Sequence, residues 1–124
     1  MKDETILAEK LADRLMMRVY VPLSAVVSLD KTGRLLGLCQ FDTAFGGNRM
    51  CVEPGAEKLL FLTNHPEGSR VLSSEDQANL KRLAALAPGV PVRVFVCGED
   101  IGCVEVRTDG RKLPACKTQS PMVY

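Results

Sequence analysis

The sequence predicts a single α/β domain in which a mixed β-sheet is flanked by helices, in the order α-β-β-β-α-β-β. Two segments repeat apolar residues at helical spacing, several short apolar runs have the length of strands, and Gly or Pro residues separate these segments. A chain of 124 residues is also long enough to bury a hydrophobic core. We therefore expect residues 1–124 to form one domain, with residues 108–124 as a C-terminal tail.

The first helix is predicted over residues 4–18. Its apolar residues recur at positions i, i+3, i+4 and i+7, and they are Ala8, Leu11, Ala12 and Leu15. Charged residues lie mostly on the opposite face, so we expect one side of this helix to pack on the domain. Pro22 interrupts the chain after this segment.

A β-hairpin is predicted next, from two apolar runs over residues 23–29 and 34–41. A short connection that ends in Gly33 joins them, as is common in hairpins. The following segment, residues 42–57, contains a Gly-Gly pair and a Pro-Gly pair, which break regular structure. We predict a loop there, with a short strand near residues 50–52.

The third predicted strand, residues 58–63, is apolar without interruption, which is typical of a strand buried on both faces. A second helix follows, because Ser73 or Ser74 can cap its start and Pro88-Gly89 can end it. Its predicted buried stripe consists of Leu80, Leu83, Ala84 and Ala87. Two final strands are predicted over residues 91–97 and 101–107.

Composition limits the classes of partner. The formal net charge is +1 and only 5% of residues are aromatic, so neither charge nor base stacking indicates a nucleic-acid partner. The first 15 residues lack the apolar core of a signal peptide, and no apolar run approaches the roughly 20 residues of a membrane span. The 5 cysteines include no Cys-x-x-Cys pair, which favours reduced thiols. We expect a cytoplasmic protein without a membrane partner.

One local pattern carries candidate chemistry: the run Thr-Asn-His-Pro-Glu-Gly from Thr63, followed by Ser73 and Asp76. A loop that leaves a buried strand and meets the start of a helix is a common ligand site in α/β folds. His65 lies in that loop, and Asp76 lies four residues before Leu80, on the predicted buried side of the helix. An imidazole and a carboxylate that converge there suit a divalent metal or an activated water.

This pattern resembles the metal-binding motif of JAB/MPN metalloproteases, which is His-x-His, about seven residues, Ser, two residues and Asp. The bacterial RadC branch writes it as HNHPSGDPTPSxxD, and this chain has TNHPEGSRVLSSED at the same length. The hairpin AVVSLDKTGRLLG and the final strands VPVRVFVCGEDIGCVEV also resemble RadC segments, so the similarity runs from about residue 23 to residue 107. The resemblance implies a JAB/MPN-like sheet with a cytidine deaminase-like plan.

The resemblance implies a role for each matched residue. His65 and Asp76 would bind zinc, Ser73 would stabilise the reaction intermediate, and Glu53 or Glu57 would supply the family's catalytic carboxylate. The first histidine of the motif is replaced by Thr63, and this chain has only 1 His. Because catalytic zinc normally has three protein ligands, we expect no cofactor and an impaired site.

Several structural interpretations stay open for the same residues. Ser73 and Asp76 fit the cap and N3 positions of a capping box, and His65 fits a hydrogen-bonded loop histidine. Cys97 or Cys103 is a candidate to complete a substituted metal site or a Cys–His pair, although buried cysteines are more often small apolar residues. The Gly-Gly pair lacks the context of a phosphate-binding loop.

The favoured function is a catalytically impaired RadC/JAB-like domain that binds another protein. Thr63, Glu67, Phe45 and Met50 are the predicted contact residues, the last two as exposed residues of the central loop. By resemblance, small RadC-like proteins occur on phages and other mobile elements of bacteria, which suggests a similar origin. The alternative function is a zinc-dependent peptidase or isopeptidase with a substituted ligand set.

Overall fold

The computed structural model describes residues 2–15, 20–44 and 49–106. They form an α/β fold with a five-stranded mixed sheet and two helices, which confirms the predicted class. In chain order the elements are α1 (Lys2–Leu15), β1 (Leu23–Leu29), β2 (Leu35–Asp42), β3 (Lys58–Asn64), α2 (Ser74–Leu86), β4 (Val92–Gly98) and β5 (Gly102–Val106). Within these described ranges, neither helix is long and apolar enough to cross a membrane.

The strands lie side by side in the order β2-β1-β3-β4-β5. Only β3 and β4 are parallel, and α2 makes the crossover between them, as parallel neighbours require. The central strand β3 is buried on both faces, as its uninterrupted apolar sequence predicts. Its carboxyl end therefore lies in the middle of the sheet, where the chain turns toward the start of α2.

Side chains alternate between the two faces of the sheet, and each face has its own core. The α1 face packs against the first helix and buries Ala8, Ala12, Val27, Leu60 and Cys97. The α2 face packs against the second helix and buries Val26, Phe41, Met50, Phe61 and Leu83. The stripe predicted for α1 therefore packs on the domain, with Ala8 and Ala12 fully buried.

The structure differs from the sequence prediction in three details. Residues 50–52 form no strand, because this loop crosses the α2 face without pairing, and Met50 is buried there rather than exposed. Ala84 is exposed, since one helical step of about 100° beyond the buried Leu83 turns it toward solvent. Phe45 and the predicted tail over residues 108–124 lie outside the described residues.

Candidate functional site

A cleft of about 260 Å³ opens at the carboxyl end of β3. The end of β3, the loop after it, the end of β2 and the first turn of α2 form its walls. Its lining includes Thr63, His65, Glu67, Ser73, Asp76 and Asp42. The structure therefore brings together the five motif residues that the sequence singled out, and it adds Asp42.

The loop between β3 and α2 positions His65 through its backbone. The His65 amide donates to the Cys97 carbonyl at 2.8 Å, which extends the β3–β4 pairing by one residue. Gly68 then donates its amide to the His65 carbonyl at 2.9 Å and has a φ of 86°, a value that favours glycine. This tight turn sends the chain back toward Ser73, the cap residue of α2.

The carboxylate of Asp76 is fully buried, and both of its oxygens accept hydrogen bonds. Thr63 Oγ1 donates to Oδ1 at 2.6 Å, while His65 Nε2 lies 2.7 Å from Oδ2. Oδ2 also accepts from the Ser73 amide at 3.1 Å, and Ser73 Oγ accepts in turn from the Asp76 amide. The predicted capping box is therefore present, and the same carboxylate also holds Thr63 and His65.

Both ring nitrogens of His65 face acceptors. Nδ1 lies 2.7 Å from the Ser69 carbonyl, and Nε2 faces the Asp76 carboxylate. A carbonyl and an ionised carboxylate only accept, so both contacts are satisfied when both nitrogens carry protons. Burial lowers the pKa of His65, but hydrogen bonds to Asp76 and Ser69 outweigh it, so the pKa is raised above the ordinary 6.5. The geometry thus favours a buried imidazolium.

The pKa of Asp76 is shifted in the direction that matches this ion pair. Burial alone raises the pKa of a carboxyl group, because it disfavours the charged form. Hydrogen bonds from His65, Thr63 and the Ser73 amide outweigh that effect, and the Asp76 pKa falls below its ordinary 3.8. Asp76 is therefore an ionised, fully paired carboxylate.

A chain of hydroxyl groups continues the network into the sheet. Ser24 Oγ lies 2.7 Å from Thr43 Oγ1 and donates to Thr63 Oγ1 at 3.3 Å. Because each hydroxyl has one hydrogen, the bonds run in one direction, from Thr43 to Ser24, to Thr63 and finally to Asp76. Asn79 of α2 joins the network by donating to the Thr43 carbonyl at 3.0 Å. All of these side chains are buried.

Sequence analysis missed Ser24, Thr43 and Asn79. Ser24 and Thr63 meet only because β1 and β3 pair with these two residues opposite each other. One signal was present: Ser24 and Ser28 are hydroxyl residues at even spacing in an otherwise apolar strand, and Asn79 lies three residues after Asp76 on α2. Small polar residues at buried positions need hydrogen-bond partners, and here they hydrogen-bond to one another.

The donor set does not fit the zinc that the family resemblance implies. His65 and Asp76 are the two matched ligands, but their facing atoms bond to each other at 2.7 Å. Thr63, in the place of the missing histidine, uses its hydrogen on Asp76. Across residues 2–15, 20–44 and 49–106, no group of three or more His, Cys, Asp or Glu side chains is arranged to hold a metal ion.

The two candidate cysteines lie away from this site. Cys97 packs in the α1-face core, whereas Thr63 and Asp76 lie on the α2 face. The Cys97 and Cys103 sulfur atoms face each other across the β4–β5 pair at 3.9 Å. The hydrogen bond to the Cys103 thiol and burial raise the pKa of Cys97, which disfavours the thiolate form that metal ligation or nucleophilic attack requires.

The candidate bases Glu53 and Glu57 lie at the opposite end of the sheet, which corrects their assignment to the site. The Glu53 amide donates to Ser28 Oγ, and the Glu57 amide donates to the carbonyl of Leu29, the last residue of β1, which pairs with the first residue of β3. Seven strand residues, or about 20 Å, separate that end of β3 from the cleft. Both glutamates are exposed and contact no motif residue by hydrogen bond among the described residues.

The remaining predicted contact residues have different outcomes. Glu67 is exposed at the rim of the cleft, and Thr63 lies at its floor with no exposed surface. Met50 is only 8% exposed and packs against the α2-face core, so its predicted role as a surface contact is wrong. Phe45 is outside the described residues.

Comparison of the chain with protein-family models, with curated proteins and with solved structures found no match. The chemistry of the site is therefore inferred from its own geometry.

Proposed function

We propose that this chain is a catalytically impaired, RadC/JAB-like domain that works by binding another protein. One observation carries the proposal. Thr63 and His65 both hydrogen-bond to the carboxylate of Asp76, so the three positions that match the family's metal ligands are bonded to each other.

Protonation of His65 opposes metal binding at this site. A histidine must offer an unprotonated nitrogen to a metal, so a proton held on Nε2 by Asp76 competes directly with zinc. Thr63 adds a neutral hydroxyl in place of an imidazole, and it supports the carboxylate by donation. The network therefore supplies a rigid polar floor for the cleft, where the family would hold a cofactor.

The cleft remains as a binding surface above this floor. Its rim carries the exposed carboxylates of Asp42, Glu67 and Glu75, and no Lys or Arg among the described residues lines it. A protein segment that presents a basic side chain would complement this rim, since like charges next to the carboxylates would cost binding energy. We therefore propose a partner with a basic contact segment, and no cofactor.

Metal content tests the first half of the proposal. The protein and its His65→Ala variant are purified without a metal-binding affinity tag, and zinc per chain is measured by mass spectrometry. We expect no stoichiometric metal in either sample. We also expect the unfolding temperature of the unsubstituted protein to be unchanged by zinc or by a chelator. One zinc per chain that disappears in His65→Ala would contradict the proposal and favour the hydrolase.

Matched charge reversals test the second half. Glu67→Lys and Glu75→Lys reverse the charge at the rim, and Glu57→Lys makes the same change at the opposite end of β3. A partner captured by the unsubstituted protein should bind Glu57→Lys equally well and should be lost with the rim variants. A partner that ignores both rim variants would contradict the cleft as the binding surface.

A further inference from the structure

Cys97 and Cys103 face each other across the last two strands of the sheet. They are direct partners in the β4–β5 register, and their sulfur atoms lie 3.9 Å apart on the α1 face. Cys97 is fully buried, whereas Cys103 is only partly buried and lies on the edge strand β5. The pair therefore combines a protected thiol with one that small molecules in solution can reach.

The backbone geometry of this pair suits a disulfide. The Cys97 carbonyl accepts from the His65 amide, so the backbone groups of Cys97 point toward β3 and away from β5. Cys97 and Cys103 are therefore a non-hydrogen-bonded pair, in which the Cα atoms of antiparallel strands are about 4.5 Å apart. Disulfides span Cα separations of about 4.4–6.8 Å, so rotation of the two side chains can bring the sulfur atoms to bonding distance.

The two thiols differ in reactivity. The Cys97 thiol donates a hydrogen bond to the Cys103 sulfur. This hydrogen bond lowers the pKa of Cys103 below its ordinary 9.0, although burial and the carboxylates of Glu9 and Glu105 act in the opposite direction. Because the thiolate is the nucleophilic form of cysteine, the more accessible Cys103 is the thiol that reacts first.

We propose that Cys97 and Cys103 are a reversible dithiol–disulfide pair, which a small-molecule disulfide such as oxidised glutathione converts to a cross-strand disulfide. The Cys103 thiolate attacks one sulfur of oxidised glutathione, forms a mixed disulfide and releases one glutathione thiolate. The Cys97 sulfur then attacks the Cys103 sulfur, and its proton passes to the second glutathione thiolate as that leaves. The two protein sulfurs lose two electrons in total, and oxidised glutathione gains them as it becomes two thiols.

The same bond connects the redox state of the pair to the backbone at the cleft. A disulfide would close a ring over residues 97–103, which contains the whole β4–β5 turn. The Cys97 carbonyl in this ring accepts from the His65 amide at 2.8 Å, and an added Cβ atom on Gly98 would lie 2.9 Å from the His65 carbonyl oxygen. Oxidation therefore fixes the strand end against which the His65 backbone packs. This effect does not depend on what the cleft binds.

Mass spectrometry of the full chain in glutathione buffers tests the pair. After equilibration, the remaining thiols are blocked by alkylation, and trypsin releases residues 94–107, which include Cys97 and Cys103 and no other cysteine. In excess oxidised glutathione, this peptide should carry no alkyl group and should weigh two hydrogen atoms less than the dithiol form. Excess reduced glutathione should restore both alkyl groups, because Cys103 stays within reach of a thiol.

Three variants separate the two steps. Cys97→Ala keeps a small apolar residue in the α1-face core and removes the second step, so a glutathione mixed disulfide should accumulate on Cys103. Cys103→Ala removes the first step and should leave the buried Cys97 unmodified. Cys51→Ser is the matched control, since Cys51 is exposed in the loop before β3 and its loss should not change oxidation of residues 94–107.

Hydrogen exchange tests the connection to the cleft. The cross-link restricts the open forms of the β4–β5 turn, so oxidation should slow exchange of the His65 amide by about tenfold. Cys103→Ala should show no such difference between the two glutathione buffers.

Two results would overturn the disulfide. One is a peptide 94–107 that keeps both alkyl groups in excess oxidised glutathione while the exposed Cys51 of the same sample is oxidised. The other is a separate mixed disulfide on each of Cys97 and Cys103, with no bond between them. A disulfide that forms and leaves exchange of the His65 amide unchanged would refute the connection to the cleft.

Discussion

Replacement of Thr63 by Val removes the hydroxyl that joins Ser24 to the Asp76 carboxylate, while the side chain keeps nearly the same shape. Oδ1 of Asp76 loses a hydrogen bond of 2.6 Å in a site with no exposed surface, and Ser24 loses its acceptor. A hydrogen bond to a charged group contributes about 1.5–3 kcal/mol, and the unpaired buried oxygen adds to the cost. We predict that unfolding free energy falls by about 3 kcal/mol.

Thr63→Ser is the matched control, because it keeps the hydroxyl and removes one methyl group. It should cost about 1 kcal/mol, the value of one buried methyl group. Urea unfolding at constant pH measures both variants, and the Val variant should also unfold about 10 °C lower than the original chain. If Thr63→Val were no more destabilising than Thr63→Ser, the hydroxyl would not support the Asp76 carboxylate, and the reasoning would be refuted.

Three further predictions concern His65 and Asp76, the cap of α2, and the ion pairs of Glu4 on α1. Because the pKa of His65 is raised in the folded state, His65 stabilises the fold below pH 6.5, and this stabilisation disappears as pH rises through the folded-state pKa. Because the pKa of Asp76 is lowered in the folded state, Asp76 stabilises the fold above pH 3.8, and this stabilisation disappears as pH falls through its folded-state pKa. In urea titrations, His65→Gln should therefore lower the free energy of unfolding most between pH 3.8 and pH 6.5, and less at high pH. A loss of unfolding free energy that does not change with pH would contradict an imidazolium at His65. Ser73→Ala should cost about 1 kcal/mol through loss of the cap, against almost no cost for the exposed Ser74→Ala, and equal costs would show that Ser73 does not cap α2. Glu4 is buried and accepts from Lys58 and Arg93, so Glu4→Ala should release α1 and speed its proteolysis relative to Glu9→Ala; equal cleavage rates would contradict this anchoring role.

The class of fold could be read from local patterns. The uninterrupted apolar run of β3 predicted a strand buried on both faces, and the stripe spacing placed Asp76 on the buried side of α2, where the structure has it. These features depend on residues close together in the chain. Hydrophobic periodicity reports them directly, because a helix or strand repeats its environment every few residues.

The remaining features depend on long-range pairing, which local patterns do not contain. Ser24 reaches Thr63 through the β1–β3 register, and Thr43 reaches Asn79 from the end of β2. Glu53 and Glu57 are near His65 in sequence but lie one strand length away in space. The burial of Met50 also depends on a long-range contact, because its loop crosses the α2 face of the sheet.

The single histidine makes one measurement especially direct. A nuclear magnetic resonance titration of the imidazole ring has only His65 to report, so its protonation state and its response to metal are assigned without ambiguity. We predict two protonated ring nitrogens, a pKa above 6.5, and no change in these resonances when one equivalent of zinc is added at neutral pH. Loss of the Nε2 proton on addition of zinc, with a shift of the ring resonances at one metal per chain, would contradict the closed Thr63–Asp76–His65 network and establish a metal site.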